Sequence, residues 1–238
     1  MNFFQHFDEH KLLQRLMPLL NRALSLWKRG MNADEGSLMN HISGALNTQR
    51  ARRCNIGIEG SYLLRTNLYE LHRQGPKQTD RYGSDLAVTV TSDTSPPFVK
   101  TAFFQFKIAT RNQVRIEAHQ LHEAAVYPDV FERSFCLAVD RRNRTIRVET
   151  ISQIKANFPD DSTTHTVATD NWLPVDPWVI GWLSCKIGPW SSATKARSIE
   201  ELLESYAFSD AESVAPIWDL PRNYFPAREW LSSRFIRR

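Results

Sequence analysis

The spacing of apolar residues predicts two helices at the start of the chain. Leucines recur at steps of three and four residues across 12–27, which is typical of an amphipathic helix that Pro18 would bend and Gly30 would end. A second apolar stripe runs across 38–46. It follows Asn32-Ala33-Asp34-Glu35, whose acids suit the positive end of a helix dipole.

Alternation of apolar and polar residues predicts strands in the middle of the chain. Asp85–Val90 alternates regularly, and Phe98–Ala109 is a second, longer strand. The Pro-rich connection Ser92–Pro97 is too short for a crossover helix, so the two strands should be antiparallel. Ser134–Val139 and Thr145–Val148 are predicted strands joined by a charged turn.

A helical stripe is predicted between these strands. Val114, Ala118, Leu121 and Ala125 lie on one helical face, and Tyr127-Pro128 would end that helix. Helices that alternate with strands in this order predict an α/β core with a central mixed sheet.

The amino-acid composition of the chain changes near residue 155. Six of the seven Trp and seven of the 12 Pro lie beyond it. Helices are predicted from about Pro177 to Lys186 and from Ile199 to Tyr206. The sequence therefore divides into three parts: an N-terminal helix (1–30), a core (31–155) and a mainly helical, Trp- and Pro-rich C-terminal elaboration packed on that core (156–238).

Composition narrows the class of protein without naming a partner. The formal charge of +4 and the pI near 9.0 permit an anionic partner but do not require one. Three widely spaced cysteines fit neither a disulfide framework nor a zinc spacing, which favours a reducing compartment. No apolar run approaches the length of a membrane span, and the first residues lack the apolar block of a signal peptide. We expect a cytoplasmic protein with no membrane partner.

Three polar residues on the two central strands form the strongest candidate site. Gln105 and Lys107 are two residues apart, so they share one face of their strand, and the hairpin can bring Asp85 beside them. Magnesium prefers oxygen ligands, which Asp85, the Gln105 side chain and the backbone carbonyl of Phe106 can supply. A simple ion pair between Lys107 and Asp85 would satisfy both side chains without a metal.

The same residues carry a resemblance to a known family. Gly83-Ser84-Asp85-Leu86-Ala87-Val88, a Pro-rich loop and Phe103-Phe104-Gln105-Phe106-Lys107 resemble the restriction-endonuclease-like (PD-(D/E)XK) nuclease superfamily in its Gln-x-Lys variant, over roughly residues 32–150. The resemblance implies a restriction-endonuclease-like core and a Mg²⁺ (or Mn²⁺) ion, with Lys107 orienting or activating the attacking water. Gly-Ser stands where the family name has Pro, and the uncharged Gln105 should bind metal less tightly than Glu.

The resemblance also implies a glutamate on the first core helix and polar residues around the site. Glu35 is the preferred helix acid, although a first-turn acid also stabilises the helix dipole; Glu59 and Glu70 are the alternatives. Three further residues are expected to contact nucleic acid: Arg111, Arg115 and Gln120.

The sequence thus predicts a metal-dependent nuclease that hydrolyses phosphodiester bonds in DNA, by analogy in a bacterial defence or restriction setting. Two alternatives stay open. One is a nuclease of the same fold that acts on RNA. The other is an inactive nuclease-like module that binds nucleic acid or a partner protein. Dimers are common in the family, so a homodimer is also an open expectation.

Overall fold

The computed structural model describes scattered residues between 10 and 41, and residues 52–54, 62–71, 81–92, 98–158, 162–183 and 186–189. Nine strands lie in these ranges: β1 Arg52–Cys54, β2 Tyr62–Glu70, β3 Leu86–Ser92, β4 Phe98–Ala109, β5 Gln113–Glu117, β6 Ser134–Asp140, β7 Thr145–Thr150, β8 Thr164–Ala168 and β9 Leu173–Pro174. The helices with described bounds are α1 Ala118–Val126, α2 Pro128–Phe131, α3 Ile151–Ala156 and α4 Val175–Leu183, and a short 3₁₀ turn spans Arg81–Gly83.

Seven of these strands form one mixed sheet in the order β1-β2-β3-β4-β6-β7-β9. Every neighbouring pair is antiparallel except β4 and β6, which run parallel. The connection between those two contains α1 and α2, as a parallel pair requires. The predicted α/β class with a central mixed sheet is confirmed.

The strands at the centre of the sheet match their prediction closely. β4 occupies the predicted residues Phe98–Ala109, and its antiparallel pairing with β3 begins at Leu86 opposite Phe104. β6 and β7 are also found where they were predicted, with each strand one or two residues longer. In β7, Ile146 and Val148 are buried between more exposed neighbours, whereas all seven residues of β6 are buried, as in a strand that is covered on both faces.

The prediction of a helix beginning near Val114 is wrong. Residues Gln113–Glu117 form β5, in which Val114 and Ile116 are buried while the other three side chains are exposed. The two-residue turn Arg111-Asn112, with both φ angles near +55°, folds the chain directly back after β4. The helix starts only at Ala118. Val114 is four residues before Ala118, so it fits a helical spacing by coincidence. Its alternation with Ile116 across exposed neighbours is the pattern that matches the observed strand.

Helices cover both faces of the sheet. On one face, Phe104 and Phe106 pack with Trp178 and Trp182 of α4, and Leu24 and Leu38 from the N-terminal part join the same core. On the other face, Cys136 and Ala138 pack with residues of α1, α3 and β5. The described residues from 10 to 25 and from 35 to 41 are helical. Asp34 precedes the second of these helical segments and caps it, because its carboxylate accepts a hydrogen bond from Ser37 N.

Part of the predicted C-terminal elaboration contributes to the sheet itself. β9 extends the edge beside β7, and α4 supplies core aromatic residues. The fully buried Lys100 of β4 donates hydrogen bonds to the carbonyl oxygens of Trp182, Ile187 and Gly188. The predicted helix over Ile199–Tyr206 lies outside the described residues, and the three-part division of the chain stays a prediction. In the described part of the chain, no helix has both the length and the apolar character needed to cross a bilayer.

Candidate active site

The candidate site forms where β4 extends past the end of β3. The backbone N–H of Asp85 donates to Phe104 O at 2.8 Å, and strand pairing stops there. Beyond this point, carboxylates accept from the backbone of β4: Phe106 N donates to Asp85 Oδ2 at 2.6 Å, and Ile108 N donates to Glu35 Oε1 at 3.3 Å. Two acids from separate elements therefore occupy the place of a neighbouring strand.

Lys107 lies beside these carboxylates. Its Nζ donates to Glu35 Oε2 at 3.2 Å. The Lys107 side chain is 11% exposed, whereas the Glu35 side chain is 43% exposed. The ion pair is therefore buried on the lysine side and open to solvent on the glutamate side, so a ligand can reach the carboxylate.

The charge state of Lys107 follows from two opposing influences. Burial favours the neutral amine, but the carboxylates of Glu35 and Asp85 outweigh burial and raise the pKa of Lys107 above its ordinary value. Lys107 is thus an ammonium group at neutral pH. In this state it donates hydrogen bonds and supplies positive charge, and it does not act as a base.

The Gln105 side chain is buried just before the two acidic contacts along β4, and among the described residues it makes no hydrogen bond. The residue is 1% exposed, and neither Nε2 nor Oε1 has a hydrogen-bond partner among the described residues. An unsatisfied buried polar group costs about 1–3 kcal/mol, so a native protein seldom keeps one without a reason. A ligand bound at this position would account for it.

The oxygen atoms at the site fit a hard divalent cation. Asp85 and Glu35 supply carboxylates, Gln105 can supply an amide oxygen, and the carbonyl of Phe106 lies on the same edge of β4 as its N–H. Among the described residues, no group of three or more His, Cys, Asp and Glu is arranged to hold a metal ion. Two carboxylates with neutral oxygen donors suit Mg²⁺ or Mn²⁺, which keep several waters, and do not suit zinc.

A strained turn leads into Asp85. Tyr82 and Gly83 both have positive φ, near 60°. A Cβ atom on Gly83 would overlap the carbonyl oxygen of Gln120 in α1, so only glycine allows the turn to lie against this helix. The Gly-Ser-Asp sequence therefore fixes Asp85 by close packing on α1. This role of Gly83 was missed at the level of sequence, because it depends on contact with a helix 37 residues away in the chain.

The other predicted residues lie on several different elements. Arg111 is exposed at the β4–β5 turn, Arg115 is exposed on β5, and Gln120 is buried on α1. Glu70 ends β2 opposite Leu86, with its side chain not described, and Glu59 lies outside the described residues. Among the described side chains, Glu35 forms an ion pair with Lys107, and the choice between these glutamates stays a prediction.

Cys136 is a second residue near the site that sequence reasoning missed. It lies directly opposite Gln105 on the parallel strand β6 and is fully buried. Burial, first of all, raises the pKa of its thiol, and the Lys107 ammonium opposes that effect only in part. The thiol is therefore neutral and unreactive. Only the parallel pairing of β4 with β6 brings it near the site, and no local pattern indicates that pairing.

Comparison with known proteins adds little to this description. No family model and no curated protein matches the sequence. Among solved structures, the chain is similar to D212, a nuclease from a fusselovirus, at 13% identity and a TM-score of 0.35. The likeness covers 50% of this chain and 76% of that one. A likeness of this size assigns neither family nor function, and the chemistry of the site rests on its own contacts.

Proposed function

We propose that this chain is a Mg²⁺- or Mn²⁺-dependent nuclease that hydrolyses phosphodiester bonds in DNA. One observation carries the proposal. Two carboxylates, Asp85 and Glu35, converge from separate elements on the edge of β4 beyond the end of β3, next to the buried ammonium group of Lys107. Clusters of this kind, in which charge and burial perturb a titratable group, are typical of catalytic sites.

Each residue has a defined part in this chemistry. Asp85 and Glu35 would hold the ion, with the Gln105 side-chain oxygen and the Phe106 carbonyl completing the protein ligands. When bound, the ion supplies Lewis acidity to the scissile phosphate and stabilises the leaving oxygen. Lys107, whose raised pKa keeps it protonated, would donate a hydrogen bond that orients the attacking water. Its charge also offsets the negative charge that develops on the phosphorane-like transition state.

A second candidate is an inactive nuclease-like module that binds nucleic acid or a partner protein. The Lys107–Glu35 ion pair favours it, because this pair and the two backbone hydrogen bonds of β4 satisfy the charged groups without any metal. The neutral Gln105 also weakens the expected metal affinity. A DNA substrate, a cytoplasmic location and a role in bacterial defence or restriction belong to the same proposal; the first and last of these rest on the motif resemblance alone.

An activity assay separates the two candidates. Plasmid DNA, single-stranded DNA and RNA are incubated with the protein in Mg²⁺, in Mn²⁺ or in EDTA. We expect metal-dependent cleavage that Asp85→Asn or Lys107→Met lowers about 100-fold or more. The exposed Lys186 serves as the control position, and Lys186→Gln should cleave like the parent. Binding of nucleic acid with no cleavage under any metal condition would favour the inactive module.

A further inference from the structure

Two turns follow neighbouring strands at the same end of the sheet. β4 and β6 are neighbouring parallel strands, and their last paired residues are Ala109 and Asp140. Neighbouring strands lie about 5 Å apart, so the turns that follow them start side by side. These turns are Thr110–Gln113 and Arg141–Arg144.

Both turns are rich in arginine. We call the four residues Arg111, Arg141, Arg142 and Arg144 the arginine edge; all are exposed except Arg141, which is half-buried. Two acids border them. Asp140 is 9% exposed, and its carboxylate accepts from Arg142 N, Asn143 N and Asn143 Nδ2. Asp170 accepts a hydrogen bond from Asn112 Nδ2 at 2.8 Å. Among the described residues of this surface, four arginines against two aspartates give an excess of positive charge.

Hydrogen bonds hold both turns in defined conformations. Thr110 and Gln113 exchange two backbone hydrogen bonds of 2.9 and 3.1 Å around the Arg111-Asn112 pair. In the second turn, Asp140 organises the backbone, and Arg144 has a left-handed φ of 57°. Positions fixed in this way lose less conformational entropy when their side chains bind a ligand than positions in a frayed loop would.

The arginine edge lies at the end of β4 that carries the candidate site. Lys107 precedes Ala109 by two residues, which is about 7 Å along a strand. Glu35 bonds to the intervening Ile108. Phosphates along one strand of a duplex advance about 3.4 Å per nucleotide, so a nucleic acid bound at Lys107 brings neighbouring phosphates within reach of both turns.

We propose that the arginine edge binds the phosphate backbone of the nucleic acid whose scissile phosphate lies at Lys107. One guanidinium group can donate two parallel hydrogen bonds to the oxygens of a phosphate. Contacts of this kind position a nucleic acid without reading its base sequence. The inference rests on the proposed function for its choice of nucleic acid over another polyanion. It predicts binding through backbone phosphates in both DNA and RNA.

Binding is measured without cleavage, by fluorescence anisotropy of labelled duplex DNA, single-stranded DNA and RNA in EDTA at several salt concentrations. The test variant combines Arg111→Gln, Arg142→Gln and Arg144→Gln. Glutamine keeps an unbranched side chain at Arg111 and Arg144, which have a left-handed φ. Lys186→Gln is the matched control. Lys186 is exposed beside Ile187 and Gly188, which contact Lys100 and Phe135 at the opposite end of β4 and β6. Circular dichroism and thermal melting verify that each variant folds.

We expect the triple variant to raise the Kd for nucleic acid at least 10-fold. The slope of log Kd against log salt should fall by about 0.9 for each duplex phosphate contact that is lost. The same three positions changed to Lys should recover most of the affinity, because lysine retains the charge. Lys186→Gln should bind like the parent.

An unchanged Kd and salt slope in the triple variant would overturn the inference, and so would an equal loss in Lys186→Gln. Binding to anionic phosphatidylserine vesicles with no binding to any nucleic acid would also overturn it. The nuclease proposal is tested separately. A parent protein that binds nucleic acid through the arginine edge but cleaves nothing in Mg²⁺ or Mn²⁺ would retain this inference and lose the proposed activity.

Discussion

At the scale of single residues, Asp85 and Glu35 each combine a structural and a chemical part. Each carboxylate accepts a backbone N–H of β4, and each also raises the pKa of Lys107. A change to alanine would remove both parts at once and leave a β4 N–H without its partner. A change to the matching amide keeps an oxygen acceptor while removing the charge, so Asp85→Asn and Glu35→Gln separate chemistry from folding.

Glu35→Gln should lower the affinity for Mn²⁺ strongly and the stability slightly. Lys107 loses the carboxylate that raises its pKa most, but Glu35 is partly exposed, so screening limits the loss in unfolding free energy to about 1 kcal/mol. The raised pKa of Lys107 stabilises the folded protein fully at any pH below the pKa of this lysine in the unfolded chain, about 10.5. This stabilisation is lost only as the pH rises through the higher pKa of Lys107 in the folded protein. Denaturant titrations should therefore show the same difference at any pH from about 6 to 9. A difference that changes steeply within this window would contradict the assignment.

Gly83→Ala should damage the site beyond its effect on stability. The new Cβ atom meets the Gln120 carbonyl, and the left-handed φ adds strain, so we expect a loss of about 1–3 kcal/mol and a displaced Asp85. Gly188→Ala is the matched control, because Gly188 also has a positive φ, of 65°, but lies at the opposite end of the sheet against Phe135. Thermal melts should show both variants destabilised, while Mn²⁺ titration shows weaker binding only in Gly83→Ala. Equal Mn²⁺ affinity in the two variants would remove the positioning role from Gly83.

At the scale of elements, β4 joins the fold to the site. Its amino-terminal half holds Lys100, whose ammonium group binds carbonyl oxygens at the end of α4 and in the following turn. Its carboxyl-terminal half holds Gln105 and Lys107. The pattern of apolar and polar residues predicted this strand to the residue. Both of its faces are buried, against different layers. The same reasoning failed at β5, where five residues are too few to distinguish a strand from the first turn of a helix.

Lys100→Met tests whether the two halves of β4 are independent. The methionine fills a similar volume but leaves the carbonyls of Trp182 and Ile187 without their donor, so stability should fall by about 3 kcal/mol. Metal binding by the folded protein should be unchanged, because Lys100 is seven residues before Lys107. Thermal melting and Mn²⁺ titration measure the two effects separately. A variant with parental stability would show that the carbonyl contacts contribute nothing.

At the scale of the whole molecule, the site depends on pairings that no local pattern reveals. Local alternation predicted Asp85, Gln105 and Lys107 as a group, since one hairpin contains all three. The contact of Glu35 with Lys107 depends on where the N-terminal helical residues pack, and the arginine edge depends on the parallel pairing of β4 with β6. The overall charge of +4 describes neither feature.

The proposed activity depends on a divalent cation that Asp85 and its neighbours would bind beside Lys107. Titration of Mn²⁺ followed by electron paramagnetic resonance tests this binding without knowledge of the substrate. We expect the parent and Lys186→Gln to bind one ion, and Asp85→Asn to bind it at least about 10-fold more weakly. Parental Mn²⁺ binding in Asp85→Asn, or no binding in the parent, would show that Asp85 does not hold a metal ion.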